Sequence, residues 1–228
     1  MNYRSLLMTA LLLLLSVTHT YASNYSLTKR DISKFDERKI SYSYEWNKVK
    51  NIDHNLKDIL NLSSKDNHLR ILSARFVFYI PGSIESFDSS FYLKKKTLDD
   101  LSGMTHKKVG NNKYKVKESK MGITINAEVD LVFNVDYDQY QREFNYNETS
   151  FEGFISHQKA RRFSNYFRST DIVTHLAQDG DFVKVTMDSF ATLGTKASKV
   201  FYFHAIKGLI VNEIKSKALD VPLVYLRK

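Results

Sequence analysis

The stretch Gly122-Ile-Thr-Ile-Asn-Ala-Glu-Val-Asp-Leu-Val-Phe-Asn-Val-Asp136 decides how this chain is read. Ile123, Ile125, Ala127, Val129, Leu131, Phe133 and Val135 hold every odd position, and from Thr124 onward the even positions are polar apart from Val132. A period of two belongs to a strand with one face buried. At about 3.3 Å per residue such a strand would exceed roughly 40 Å, which is long for a globular protein. It is expected to bend around an element that covers its odd face.

Working outward, the same period runs through Lys113, Lys115 and Lys117 on one side and Tyr114 and Val116 on the other. Further strands are predicted at Gln139–Tyr146, Gly153–His157 and Lys159–Phe167. Asp171–Ala177 and Phe182–Phe190 then read as a hairpin whose turn, Gln178-Asp179-Gly180-Asp181, offers the positive-φ position that a tight reversal needs. After Gly194, residues 198–219 read as a long helix with Phe203, Ile206, Ile210 and Ile214 on its buried stripe, ended by Pro222.

On the N-terminal side, Arg75–Ile80 reads as a strand. Ser83 is placed to cap a helix that uses Ile84, Phe87, Phe91, Leu98 and Leu101 and stops at Gly103. Lys39–Glu45 alternates as a strand. Asn47–Leu62 sets Val49, Ile52, Leu56, Ile59 and Leu60 on one helical stripe, with Asn47 as its cap.

The chain has 228 residues, a formal net charge of +9 and no Cys. Without Cys, a disulfide scaffold, a thiolate zinc site, an iron–sulfur cluster and a cysteine nucleophile are all excluded. Residues 1–22 read as a signal peptide: Arg4 in the leading region, an apolar run from Leu6 to Val17, and a small-residue exit at Ala22. That run is shorter than the roughly 20 residues a membrane-spanning helix needs. An exported protein, periplasmic or secreted, is expected, and a Cys-free one suits a bacterial envelope. The expected division is 1–22 signal peptide, 23–69 an N-terminal extension of one strand and one helix, and 70–228 the main domain.

The order strand, helical segment, several antiparallel strands, long C-terminal helix resembles the helix-grip fold of the START-related (SRPBCC) superfamily of polyketide cyclases and lipid-transport proteins. The matching stretches are Arg75–Phe87, Val109–Val116, Gly122–Asp136, Gln178–Thr186 and the helix to Leu219. The resemblance covers about residues 70–220, and it is one of element order, not of motif. It implies an α+β fold in which a curved antiparallel sheet wraps a long C-terminal helix and leaves an apolar cavity. Ile125, Val129 and Phe133 on the sheet and Phe203, His204, Ile206 and Ile210 on the helix would then line a ligand site. Residues 24–69 and the polar stretch Tyr137–Arg168 depart from the family pattern.

No catalytic motif accompanies this fold. The mature histidines His54, His68, His106, His157, His175 and His204 fall at no metal-clamp spacing, and the chain has no nucleophile elbow and no phosphate-binding glycine loop. No catalytic residue, metal or cofactor is assigned. His204 and His175 are the groups that a cyclase- or hydrolase-type enzyme on this fold would use.

Basic residues cluster at Lys94, Lys95, Lys96, Lys107 and Lys108, and again at Arg161 and Arg162 beside Phe163, Tyr166 and Phe167. An exported protein seldom meets nucleic acid, so these residues are read as contacts to an anionic membrane or an acidic envelope polymer. A solvated face that only keeps the domain soluble is the plain alternative. The expected function is binding of a hydrophobic or amphipathic ligand such as a lipid. An enzyme on the same fold and a solid interaction module are the rivals.

Overall fold

Strand order fixes the architecture. The computed structural model describes residues 41–102, 105–120, 123–133, 135, 137–144, 153–161, 167–199 and 221–226. Eight strands, β1 (Ser41–Lys48), β2 (Arg70–Pro81), β3 (His106–Gly110), β4 (Lys113–Lys120), β5 (Ile123–Val132), β6 (Gly153–Arg161), β7 (Phe167–Asp179) and β8 (Phe182–Leu193), form one sheet. Their order is β1-β2-β8-β7-β6-β5-β4-β3, every neighbouring pair is antiparallel, and the sheet is curved.

The alternating stretch forms β5, with Ala127, Val129 and Leu131 buried, but the strand is 10 residues long and ends at Val132, so it is shorter than the full run predicted. The predicted hairpin is present and longer than its sequence signal. It turns at Gly180, whose φ of 60° lies where glycine carries no side-chain penalty. β1 is hydrogen-bonded to β2, so the N-terminal strand belongs to the same sheet as the rest.

Four sequence expectations are corrected. Asn47–Leu62 is not one helix. Asn47 lies in β1, a 3-10 turn occupies Val49–Asn51, and the helix is His54–Ile59, capped by the Asp53 carboxylate on the Asn55 amide at 2.7 Å. Asn61, at φ 54°, closes that helix: its amide reaches the Asp58 carbonyl, and the Leu62 amide reaches that of Lys57, a Schellman ending. The helix expected after Ser83 is three pieces, Ile84–Phe87, Ser89–Leu93 and Lys95–Ser102, because the Asp88 side chain starts a new cap on Ser90 and Phe91.

Gln139–Tyr146, read as a strand, corresponds instead to the helix Tyr137–Phe144. Tyr140 and Phe144, four positions apart, share its buried side. Pro222 does not end a helix either, since residues 221–226 are helical around it. Residues 200–219 lie outside the described residues. Within the described part, Thr195–Ser198 is a short helix and Lys199 is extended. No helix among the described residues is long and apolar enough to cross a membrane.

Both faces of the central strands are covered. On the inner face, Leu72, Ala74, Phe76, Phe78 and Ile80 of β2 and Val183, Val185 and Met187 of β8 pack on Phe87, Phe91, Tyr92 and Tyr225. Phe133 joins this cluster to a second one, containing Leu98, Tyr114, Val116, Val129, Leu131 and Ala160, so the inner face is continuous. On the outer face, Ile71, Val173 and Phe190 are covered by Val49, Ile59, Leu60, Leu62, Tyr140 and Phe144. Residues 49–69 and the Tyr137–Phe144 helix therefore form a second layer. The stripe seen in the sequence at Val49, Ile52, Leu56, Ile59 and Leu60 does pack together, although its backbone is broken.

Candidate functional site

The inner face carries hydroxyls in an apolar setting. Tyr225 is fully buried, with its ring 5.5 Å from Phe78, 5.7 Å from Phe87 and 5.3 Å from Phe91. Its hydroxyl lies 3.3 Å from that of Tyr92, which comes from the Ser89–Leu93 helix. The sheet supplies one further hydroxyl to each phenol, Ser156 of β6 to Tyr92 and Thr174 of β7 to Tyr225. Burial raises both phenols: Tyr225 is pushed up to about 12 and Tyr92 goes well above the ordinary value. Both phenols are therefore neutral across the physiological range.

Residues expected to line a ligand site fall partly here. Val129 is buried in the inner-face cluster around Tyr114, and Phe133 is half-buried with its ring 6.3 Å from that of Tyr92. Ile125 sits in β5 opposite Glu118, and its side chain lies outside the description. Phe203, His204, Ile206 and Ile210 lie outside the described residues, as does Arg162. Tyr92, Ser156, Thr174 and Tyr225 were not legible as site residues. Their signal is only that each falls on the apolar-facing side of its element.

The outer face holds a buried charged network. Arg161 forks onto Asp171 at 2.7 and 2.9 Å and also donates to the Leu60 carbonyl at 3.2 Å. His157 Nε2 lies 2.9 Å from Asp171 Oδ1, and the Tyr140 hydroxyl lies 2.7 Å from His157 Nδ1. An ionised carboxylate only accepts, so Nε2 carries the ring proton and Nδ1 accepts from the phenol. Burial lowers the His157 pKa against the opposing pull of Asp171, which keeps the ring neutral and this pattern matched. Beside it, Arg75 holds Asp188 at 2.7 and 3.0 Å and donates to the Phe144 carbonyl at the end of the Tyr137–Phe144 helix.

This geometry reassigns four residues. Arg161, grouped in the sequence with the basic surface, turns its guanidinium onto a buried carboxylate. His175 is buried on the odd side of β7 with Asp171 and Val173, opposite to Thr174 and Leu176, and so faces away from the inner face where an enzyme would have used it. Lys95 and Lys96, though exposed, pair with Asp99 and Asp100 one turn on. Asp99 also accepts from the His106 amide at 2.8 Å and lies 3.0 Å from its Nδ1, which pins the Lys95–Ser102 helix to β3. Among the described residues no group of His, Asp and Glu is arranged to hold a metal ion.

No family model matches the sequence, and none of the curated proteins matches it. Solved structures with similarity include Ara h 8.0201 (11% identity, TM-score 0.35, 65% of this chain and 97% of that one). Others are a conserved protein from Geobacillus kaustophilus (11%, 0.38, 66% and 95%) and the major latex-like protein 151 of Panax ginseng (12%, 0.33, 65% and 97%). Scores at this level do not establish a shared fold. What the strand order defines by itself is an α+β protein on one curved, eight-stranded antiparallel sheet, layered on both sides.

Proposed function

We propose that the protein is an exported carrier that binds an apolar or amphipathic small molecule on the inner face of its sheet. The observation that carries this reading is the Tyr92–Tyr225 pair, with Ser156 and Thr174, set into an otherwise apolar aromatic wall. Hydroxyls in such a wall cost desolvation, which their mutual hydrogen bonds offset, while a Phe would fill the same space without needing partners. A few polar groups on a mostly apolar surface are what orients a ligand that has one polar end.

Binding would be driven by burial of ligand hydrocarbon at about 25 cal/mol per Å². One phenol proton is spent on the Tyr92–Tyr225 bond, and the other, on a neutral hydroxyl, would be donated to a carbonyl, hydroxyl or acid headgroup. Export rests on the reading of residues 1–22 as a signal peptide, and N-terminal sequencing of the secreted form tests it.

The ligand claim is tested by organic extraction of the purified protein with mass spectrometry, and by displacement of a fluorescent fatty acid. A stoichiometric co-purifying lipid, and a Tyr92→Phe/Tyr225→Phe variant binding the probe about tenfold more weakly, support it. A protein that carries nothing and leaves the probe in water sinks it.

A further inference from the structure

We infer that the β3–β4 edge of the sheet docks on the anionic surface of a lipid bilayer through Lys107, Lys108, Lys113, Lys115 and Lys117. The sequence groups many basic residues together, and the structure sorts them. Lys95, Lys96 and Arg161 are committed to Asp99, Asp100 and Asp171. Lys113 is only 3.9 Å from Asp130, at the limit of an ion pair. Lys107, Lys108, Lys115 and Lys117 are all exposed, and among the described residues none of them makes an ion pair.

Their register makes this unfavourable for the protein by itself. Lys107 of β3 lies directly opposite Lys115 of β4, a like-charge pair that weakens a sheet. On its other side Lys115 is registered with Glu128, yet no ion pair joins them. Guarding an edge against strand addition requires lysines only on the edge strand, which is β3. Lys113, Lys115 and Lys117 stand on β4, which is paired on both sides, so edge protection does not account for them.

The shape of the strip selects the partner. Lys107 and Lys108 point to opposite faces of the last strand, and Val109 beside them is 51% exposed. A flat surface met edge-on reaches lysines on both faces at once and can take up the valine. Single-stranded nucleic acid would need aromatic platforms. The hairpin's aromatic residue, Tyr114, is buried with its hydroxyl on the Leu93 carbonyl at 3.0 Å. Each lysine near an anionic bilayer is worth about fivefold in partitioning. This surface stands whether or not the inner face holds a ligand.

The test is sedimentation of the full chain with vesicles of phosphatidylcholine mixed with phosphatidylglycerol, against phosphatidylcholine alone, over a series of salt concentrations. Expected is binding to the mixed vesicles only, released by salt. Lys107→Gln/Lys108→Gln/Lys115→Gln/Lys117→Gln should reduce it by about a hundredfold or more. Lys95→Gln/Lys96→Gln should change it by less than about tenfold. Circular dichroism confirms that both variants fold. The inference is overturned if mixed vesicles are not bound, if the two variants lose binding equally, or if soluble polyphosphate is bound while vesicles are not.

Discussion

His157 and Asp171 meet diagonally across the β6–β7 pair, 2.9 Å apart and both fully enclosed beneath the Tyr137–Phe144 helix. The neutral ring is the form the site accepts, because Nδ1 must be open to receive the Tyr140 hydroxyl. Burial lowers the folded-state pKa of His157, while the unfolded ring titrates near about 6.5. The unfolded chain thus takes up the proton first as pH falls. The stabilisation is complete above about 6.5 and is lost as pH drops toward the folded value. Melting temperatures from neutral pH down to the start of carboxylate titration should fall for the native protein. They should fall less steeply for His157→Gln, and equal slopes would refute the assignment.

Removal of the acid should be more damaging than removal of the ring. Asp171→Ala leaves the inward-turned Arg161 without its partner and strips His157 of its acceptor. A broken buried pair of this kind costs about 3–5 kcal/mol. Urea denaturation should register a loss in that range, and a loss under about 1 kcal/mol would mean that water replaces the carboxylate.

At the alkaline end, Tyr140 and Tyr225 are both pushed up to about 12 by burial, with Asp171 adding to the effect at Tyr140. Here the folded state holds its proton longer than the unfolded state. The stabilisation is whole below about 10 and disappears as pH climbs toward 12. Absorbance titration of the phenolates should show a late, cooperative step that coincides with unfolding. Tyr140→Phe and Tyr225→Phe should each shrink its amplitude.

Phe87 is fully buried and contacts Phe91 and Tyr225 with ring separations of 5.3 and 5.7 Å. Phe87→Ala would open a hole beneath the Ser89–Leu93 helix and cost about 3–5 kcal/mol. Because Tyr92 is on that helix, probe binding at the inner face should weaken in parallel. Unchanged binding in a folded variant would detach the helix from the ligand reading.

Much of the sheet was legible because period-two patterning is a direct consequence of strand geometry. Ala127, Val129 and Leu131 announced β5, and Asp179-Gly180 announced the β7–β8 turn. What misled was polarity. Arg161 on β6 reads as a surface cation because alternation normally separates core from water, and nothing in the sequence marks Asp171 on β7 as its partner. In this fold the outer face is itself covered, so its polar residues had to find one another. Tyr140 and Phe144 fit a strand or a helix in so short a segment, and only the contacts of Tyr140 with His157 and of Phe144 with Phe190 resolve it. The lysine grouping was visible, but which lysines an acid neutralises depends on helix pairs and strand register that no linear distance encodes.

A strand with a blanket on each side is reached by water only after one blanket lifts. Deuterium should enter β1 and β3 within the first exposures and β7 and β8 last of all. The order in which the amides of the two flanking layers give way would show which half of the molecule breathes first.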